Sequence, residues 1–176
     1  MDVNKTIIKG IITSKYRTKN DHIVLGIKTC KHNFPSIFFP KSVSADKADQ
    51  FDVGDNVEII GSLQSSKKND VFSCSIFGQD ISLSDNDDRR NFFELHGRII
   101  KFQTLPGELY RLTIETEADG HYSTVPVVFY NKKYEKTLLE HQLGQCISIY
   151  GVVQTKKIYI DDQRIYYTNY VGFSCA

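Results

Sequence analysis

Tryptophan is absent from this sequence and methionine occurs once, so the large aromatic rings available for stacking are the 10 tyrosines and 11 phenylalanines. Charge of one sign is not in excess: net charge is +1, and an anion-binding surface would have to arise from local clustering. Cysteine is sparse. The four thiols stand at 30, 74, 146 and 175, too far apart for a disulfide framework or a zinc knuckle. Cys30 and His32 form a possible metal pair, but nothing near them completes a tetrahedral set. Reduced thiols in the cytosol are the expectation. No apolar run has the length of a signal peptide's core or of a membrane span, so a soluble, cytoplasmic protein without membrane association is expected.

Catalytic patterns are missing as well. The histidines at 22, 32, 96, 121 and 141 do not recur as a set. There is no glycine-rich phosphate loop, and no hydroxyl or carboxylate arrangement suggests a nucleophile with its base. The expectation is a protein that is not an enzyme and has no cofactor, catalytic residue or metal ligand. With 40% hydrophobic and 24% charged residues, the composition is that of a globular chain.

What the chain does contain is the same pattern twice. Asn4 precedes Gly10 by six residues, as Asn91 precedes Gly97, and Gly54 precedes Gly61 by seven, as Gly144 precedes Gly151. A lysine pair follows each last glycine: Lys67-Lys68 and Lys156-Lys157. Internal repetition of this kind decides the architecture before single residues are interpreted. The boundaries read as 1–83 for one domain, 84–90 for a polar linker and 91–176 for the second. Each small unit can bury only a modest core, which calls for packing between the copies.

Alternation of period two recurs at matching places. Ile8, Gly10 and Ile12 correspond to Leu95, Gly97 and Ile99. Ile23, Leu25 and Ile27 correspond to Tyr110, Leu112 and Ile114. Val57, Ile59, Gly61 and Leu63 correspond to Ile147, Ile149, Gly151 and Val153. Residues two apart share one face of a strand, so these sets are the expected inward faces. Third strands are expected over 36–41 and 124–131, and last strands over 71–78 and 165–172. Short helices are expected over 44–51, with Ser44 as N-cap, and over 133–141, each stopped by the glycine beyond it. Three strands, a helix and two strands are the plan of the OB-fold. The predicted class is therefore all-β: two tandem OB-folds, each a five-stranded barrel with one short helix between strands 3 and 4.

The stretch Met1–Gly10, an Asn leading a strand into a Gly, resembles the opening of the bacterial single-stranded DNA-binding protein family. Val127 through Gly144, Gly151 and Lys157 is similar to that family's strand–helix–strand centre. The resemblance covers about two thirds of each copy. It implies sequence-independent binding and protection of single-stranded DNA in replication, recombination or transfer. Family members usually carry one OB domain and assemble four, so a homodimer of this chain would present the same number. The family's acidic C-terminal tail has no match here, because the sequence ends on 172–176 straight after the last expected strand. Replication or recombination proteins remain possible partners by some other contact.

The resemblance also points to stacking residues. One family position matches Tyr130, where the first copy has Pro40; an earlier one matches Phe34, where the second copy has Thr124 with Tyr122 two residues away. Phe38 shares the parity of Tyr130. Among basic residues, Lys15, Arg17 and Lys19, together with Tyr16, occupy an expected first loop. Lys67, Lys68, Lys156 and Lys157 occupy the expected loop between the last two strands. Arg98 and Arg111 fall on outward strand faces. Rings stack bases and ammonium groups track phosphates, which is what capture of unpaired strands requires. The same residues also fit core or dimer-interface rings and a solvated surface. An interaction module within a nucleic-acid-processing complex is thus a second reading, and the residues do not separate DNA from RNA.

Overall fold

The computed structural model describes residues 2–69, 71–85, 89–118, 120–130, 138 and 140–175. Strands β1 (Val3–Arg17), β2 (Ile23–Lys28) and β3 (Ser36–Phe39) precede helix α1 (Ala45–Ala48), and β4 (Asn56–Lys68) and β5 (Val71–Leu83) complete the first copy. The second copy comprises β6 (Arg90–Leu105), β7 (Leu109–Ala118), β8 (His121–Phe129), β9 (Cys146–Ile160) and β10 (Gln163–Cys175). In each copy the first strand pairs with both the second and the fourth, and the third runs parallel to the fifth. This closes two five-stranded barrels with OB topology.

The alternation falls inward as the period-two pattern dictates. Ile8, Ile12, Ile23, Leu25, Ile27, Val57, Ile59 and Leu63 are buried in the first barrel, and Leu95, Ile99, Tyr110, Leu112, Ile114, Ile147, Ile149 and Val153 in the second. Gly10 and Gly97 sit where a first strand crosses a second. A Cβ at either position would collide with a carbonyl oxygen, of Lys28 or of Glu115 respectively. One register shift follows each glycine, between Ile12 and Ser14 and between Ile99 and Lys101. These bulges bend the long strand from one partner to the other.

The Asn–Gly spacing has a matching cause. The Asn4 side chain donates to the Leu63 carbonyl (2.9 Å) and accepts from the Leu63 amide (2.8 Å). Asn91 makes the same pair of bonds to Val153. Each asparagine thus ties the start of its barrel's first strand to the fourth strand.

Some expectations need correction. α1 is a single turn, and Ser44 occupies its N-cap position without capping it: its hydroxyl donates instead to the Gly78 carbonyl at 2.5 Å. β3 and β8 end at Phe39 and Phe129, before Lys41 and Asn131, whereas β5 and β10 run on to Leu83 and Cys175. Of the second expected helix, over 133–141, all but Leu138 and residues 140–141 lie outside the described residues. Leu138 is buried in the core.

The copies are fused into one ten-stranded sheet by antiparallel pairing of β1 with β6, in which Thr6 faces Phe93. Since Asn4 corresponds to Asn91, Thr6 corresponds to Phe93, and a pseudo-twofold axis passes between them. Further bonds cross the seam. The Tyr170 hydroxyl, on the second copy's last strand, reaches the carbonyls of Gln64 (2.6 Å) and Ser75 (2.5 Å) in the first. Asn33 donates to the Val153 carbonyl (2.9 Å) and accepts from the Thr155 amide (2.8 Å). The cores meet as one cluster, where Phe93 packs edge-on to Tyr170 at 6.2 Å.

Candidate nucleic-acid interface

Parity along β8 buries Val125, Val127 and Phe129 and releases Tyr130, which is 38% exposed just past the strand. The Lys156 ammonium lies over that ring, 4.8 Å from its centroid. A neighbouring pair repeats the motif, with the Lys157 ammonium 5.0 Å from the exposed ring of Tyr159. A third cation–ring group sits across the seam. Phe72, on the first copy's β4–β5 hairpin, has Lys67 at 5.8 Å and the second copy's Arg111 at 5.4 Å. Arg111 is half-buried and is held there by Gln103, whose side-chain oxygen accepts from both Nε and Nη2. An exposed cation–ring contact contributes about 0.5–1 kcal/mol. It holds a positive charge and a flat ring within a few ångström of each other.

The basic hairpin residues are not in loops. Lys67 and Lys68 end β4, and Lys156 and Lys157 lie on the arm of β9. The two pairs are also one residue out of step. Lys67 faces Phe72 and Lys157 faces Tyr166 across their hairpins, each six residues past its barrel's glycine, so the counterpart of Lys67 is Lys157 alone. The sequence match of the pairs ignored strand parity, which sends adjacent side chains to opposite faces.

The first-copy cluster at 15–19 has a different fate. Lys15, Tyr16 and Arg17 belong to the end of β1; Lys19 lies in the turn beyond. Lys15 donates to the carbonyls of Asp49 (2.6 Å) and Phe51 (2.9 Å) and pairs with the carboxylates of Asp49 and Asp52. Arg17 bonds Asp49 at 2.6 Å. Hydrogen bonding from Lys15 holds the Asp49 carboxyl below its ordinary range, and Lys41 does the same for Asp21. These cations clamp β1 to the end of α1, while Tyr16 and Lys19 are exposed.

The remaining candidates separate. Phe34 is 36% exposed, and its amide is anchored on the Thr155 hydroxyl at 2.8 Å. Phe38 turns away from the core, as its parity requires, but is half-buried between the rings of His22 (4.7 Å) and Phe77 (5.1 Å). Tyr122 is 63% exposed; its hydroxyl bonds Glu115, which raises the phenol above its ordinary range. Arg98 is exposed and lies 3.7 Å from the same Glu115.

Tyr122, Lys67 and Phe72 line one groove of about 500 Å³ along the seam, together with Lys101 and Thr113. Lys101 and Thr113 escaped sequence reading. They are cross-strand neighbours on β6 and β7, but only the first copy's hairpin turns them into a wall and floor. The repeat of hairpin lysines was the available signal, and it did not reveal that the hairpin lies against the other copy.

The geometry defines a tandem OB-fold module whose described cation–ring pairs lie on the second copy and the seam, with Tyr16 and Lys19 exposed on the first. Its backbone matches over 99% of its length the wild-type single-stranded DNA-binding protein from Thermus aquaticus, with a TM-score of 0.68, 12% identity and 92% of that chain covered. A deletion mutant of the Thermus aquaticus protein matches with a TM-score of 0.67, 12% identity and 94% of its chain covered. At this identity the likeness establishes the fold. No protein-family model matches the sequence, and no curated protein does so significantly.

Proposed function

We propose that this chain belongs to the single-stranded DNA-binding proteins and coats unpaired strands without base preference, as a binding protein rather than an enzyme. The observation that carries this reading is the pairing of Lys156 with Tyr130, Lys157 with Tyr159 and Lys67 and Arg111 with Phe72. A ring offers a stacking face worth about 1–3 kcal/mol per base to any nucleobase, and the adjacent cation meets the phosphate. Duplex DNA keeps its base faces covered and gains only the charge term. The full-length likeness in fold to a protein named for single-stranded DNA binding supports the same reading. Exposed strands of replication, recombination or transfer are the proposed setting, and the four free cysteines fit a reducing cytoplasm. RNA is accommodated by the same chemistry, since stacking is indifferent to the sugar.

The proposed assembly is a homodimer with four barrels. Supporting it, the outer face of the central strands carries Ile60, Ile7 and Phe92 in adjacent register, with Tyr150 stacked 6.0 Å from Phe92. Sedimentation equilibrium should return twice the chain mass. The binding test is quenching of tyrosine emission by oligo(dT). Salt-sensitive quenching that is much weaker with duplex supports the function; equal affinity for duplex and single strand, or none for either, overturns it.

A further inference from the structure

We propose that the seam groove holds one unpaired nucleobase with its flanking phosphates. This rests on the single-strand reading above and deepens it.

Three observations converge. The groove, about 500 Å³, lies within the roughly 300–1,000 Å³ typical of small-ligand sites. Its lining combines the Phe72 and Tyr122 rings with the ammonium groups of Lys67 and Lys101. Its lining also includes Thr113, which is 3% exposed and whose hydroxyl is buried without a hydrogen-bond partner. A buried hydroxyl left unpaired is unfavourable, and the carbonyl or amino edge of a base would satisfy it. The site needs both copies, because Lys67 and Phe72 come from the first and Lys101, Thr113 and Tyr122 from the second.

The wall that the second copy contributes differs in kind from its counterpart across the axis. Counting from the matched core positions, Ser14 stands for Lys101, Gly26 for Thr113, His32 for Tyr122 and Asn33 for Ser123. Asn33 there bonds Val153 and Thr155, and the Phe34 amide bonds the Thr155 hydroxyl, which together tie the first copy to β9. On the groove side, Ser123 donates to the Gln64 side chain, at 3.2 Å, and Ser65 donates to the Thr124 carbonyl.

The test uses the full chain and oligo(dT) carrying 5-iododeoxyuridine. Photo-crosslinking followed by peptide mapping should place adducts at Phe72 and Tyr122. Thr113→Val should lower oligo(dT) affinity about two- to tenfold while leaving the melting temperature unchanged or raised, because it removes an unpaired buried hydroxyl. Phe72→Ala, on the hairpin surface, should lower affinity by roughly fivefold or more. Tight binding with adducts confined to other segments, and wild-type affinity in both variants, overturns the pocket and leaves the function standing. No binding of the oligonucleotide overturns both.

Discussion

The two barrels share a backbone plan and spend their cations differently. In the first, Lys15, Arg17, Lys41 and Lys47 are engaged by Asp49, Asp21 and Asp80, and they fasten strands and helix to one another. In the second, Lys156 and Lys157 lie over exposed tyrosines, and Arg111 reaches the first copy's Phe72. Among the described residues, the same side-chain chemistry ties strands to helix in the first barrel and stands over rings on the second barrel and at the seam. A cation already satisfied by a carboxylate has little left for a phosphate, so basic residues differ in value by their neighbours and not by their number.

The largest expected difference is in binding. Tyr130→Ala combined with Lys156→Ala should lower oligo(dT) affinity roughly tenfold or more, since a stacked base and a phosphate contact are lost together. Lys15→Ala and Arg17→Ala should change it by less than about twofold, a bound set by their carboxylate partners. Tyrosine quenching measures both; equal losses would break the division between the halves.

Next in size is the shared asparagine clamp. Asn4→Ala leaves both the amide and the carbonyl of Leu63 without their side-chain partner, at a cost of about 1–3 kcal/mol, whereas Asn91→Ala leaves the Val153 carbonyl its bond from Asn33. Urea unfolding should show the larger loss for Asn4→Ala, and equal losses would mean that the Asn33 bond does not compensate.

A smaller effect is expected in acid. The Asp49 carboxyl has its folded pKa depressed below the ordinary 3.8 by Lys15. A depressed folded pKa stabilises the native state above the unfolded value and loses that contribution as pH falls through the folded one. Asp49→Asn should therefore destabilise at pH 6 and converge with the parent chain near the acid end of the unfolding curve.

The smallest effect is chemical. Burial pushes the Cys74 thiol up to about 12, whereas Cys30 and Cys146 are exposed. Alkylation at neutral pH should modify Cys30 and Cys146 within minutes and reach Cys74 only on unfolding.

The barrel interiors were legible in the residues because burial in a strand has a period of two. The glycines and asparagines were legible because each meets its need at a fixed distance along the chain. What was not legible depends on partners remote in sequence. Ser44 carries the signature of a cap, yet the acceptor of its hydroxyl, Gly78, comes from a strand 34 residues away. Lys15 and Arg17 read as loop cations because Asp49 cannot be aligned with them before the barrel closes. Tyr130 and Phe34 entered through the family resemblance, but the seam groove did not, because its two walls belong to different copies and no local period links Lys67 to Lys101.

At the axis, Thr6 stands against Phe93. In an assembly of two identical subunits, a residue on the dyad must meet its own twin, so only self-compatible choices survive and every mutation arrives in duplicate. Joining the pair in one polypeptide removes that restriction. A small hydroxyl can then fit beside a large ring, and each side of the molecule is free to evolve without consulting the other.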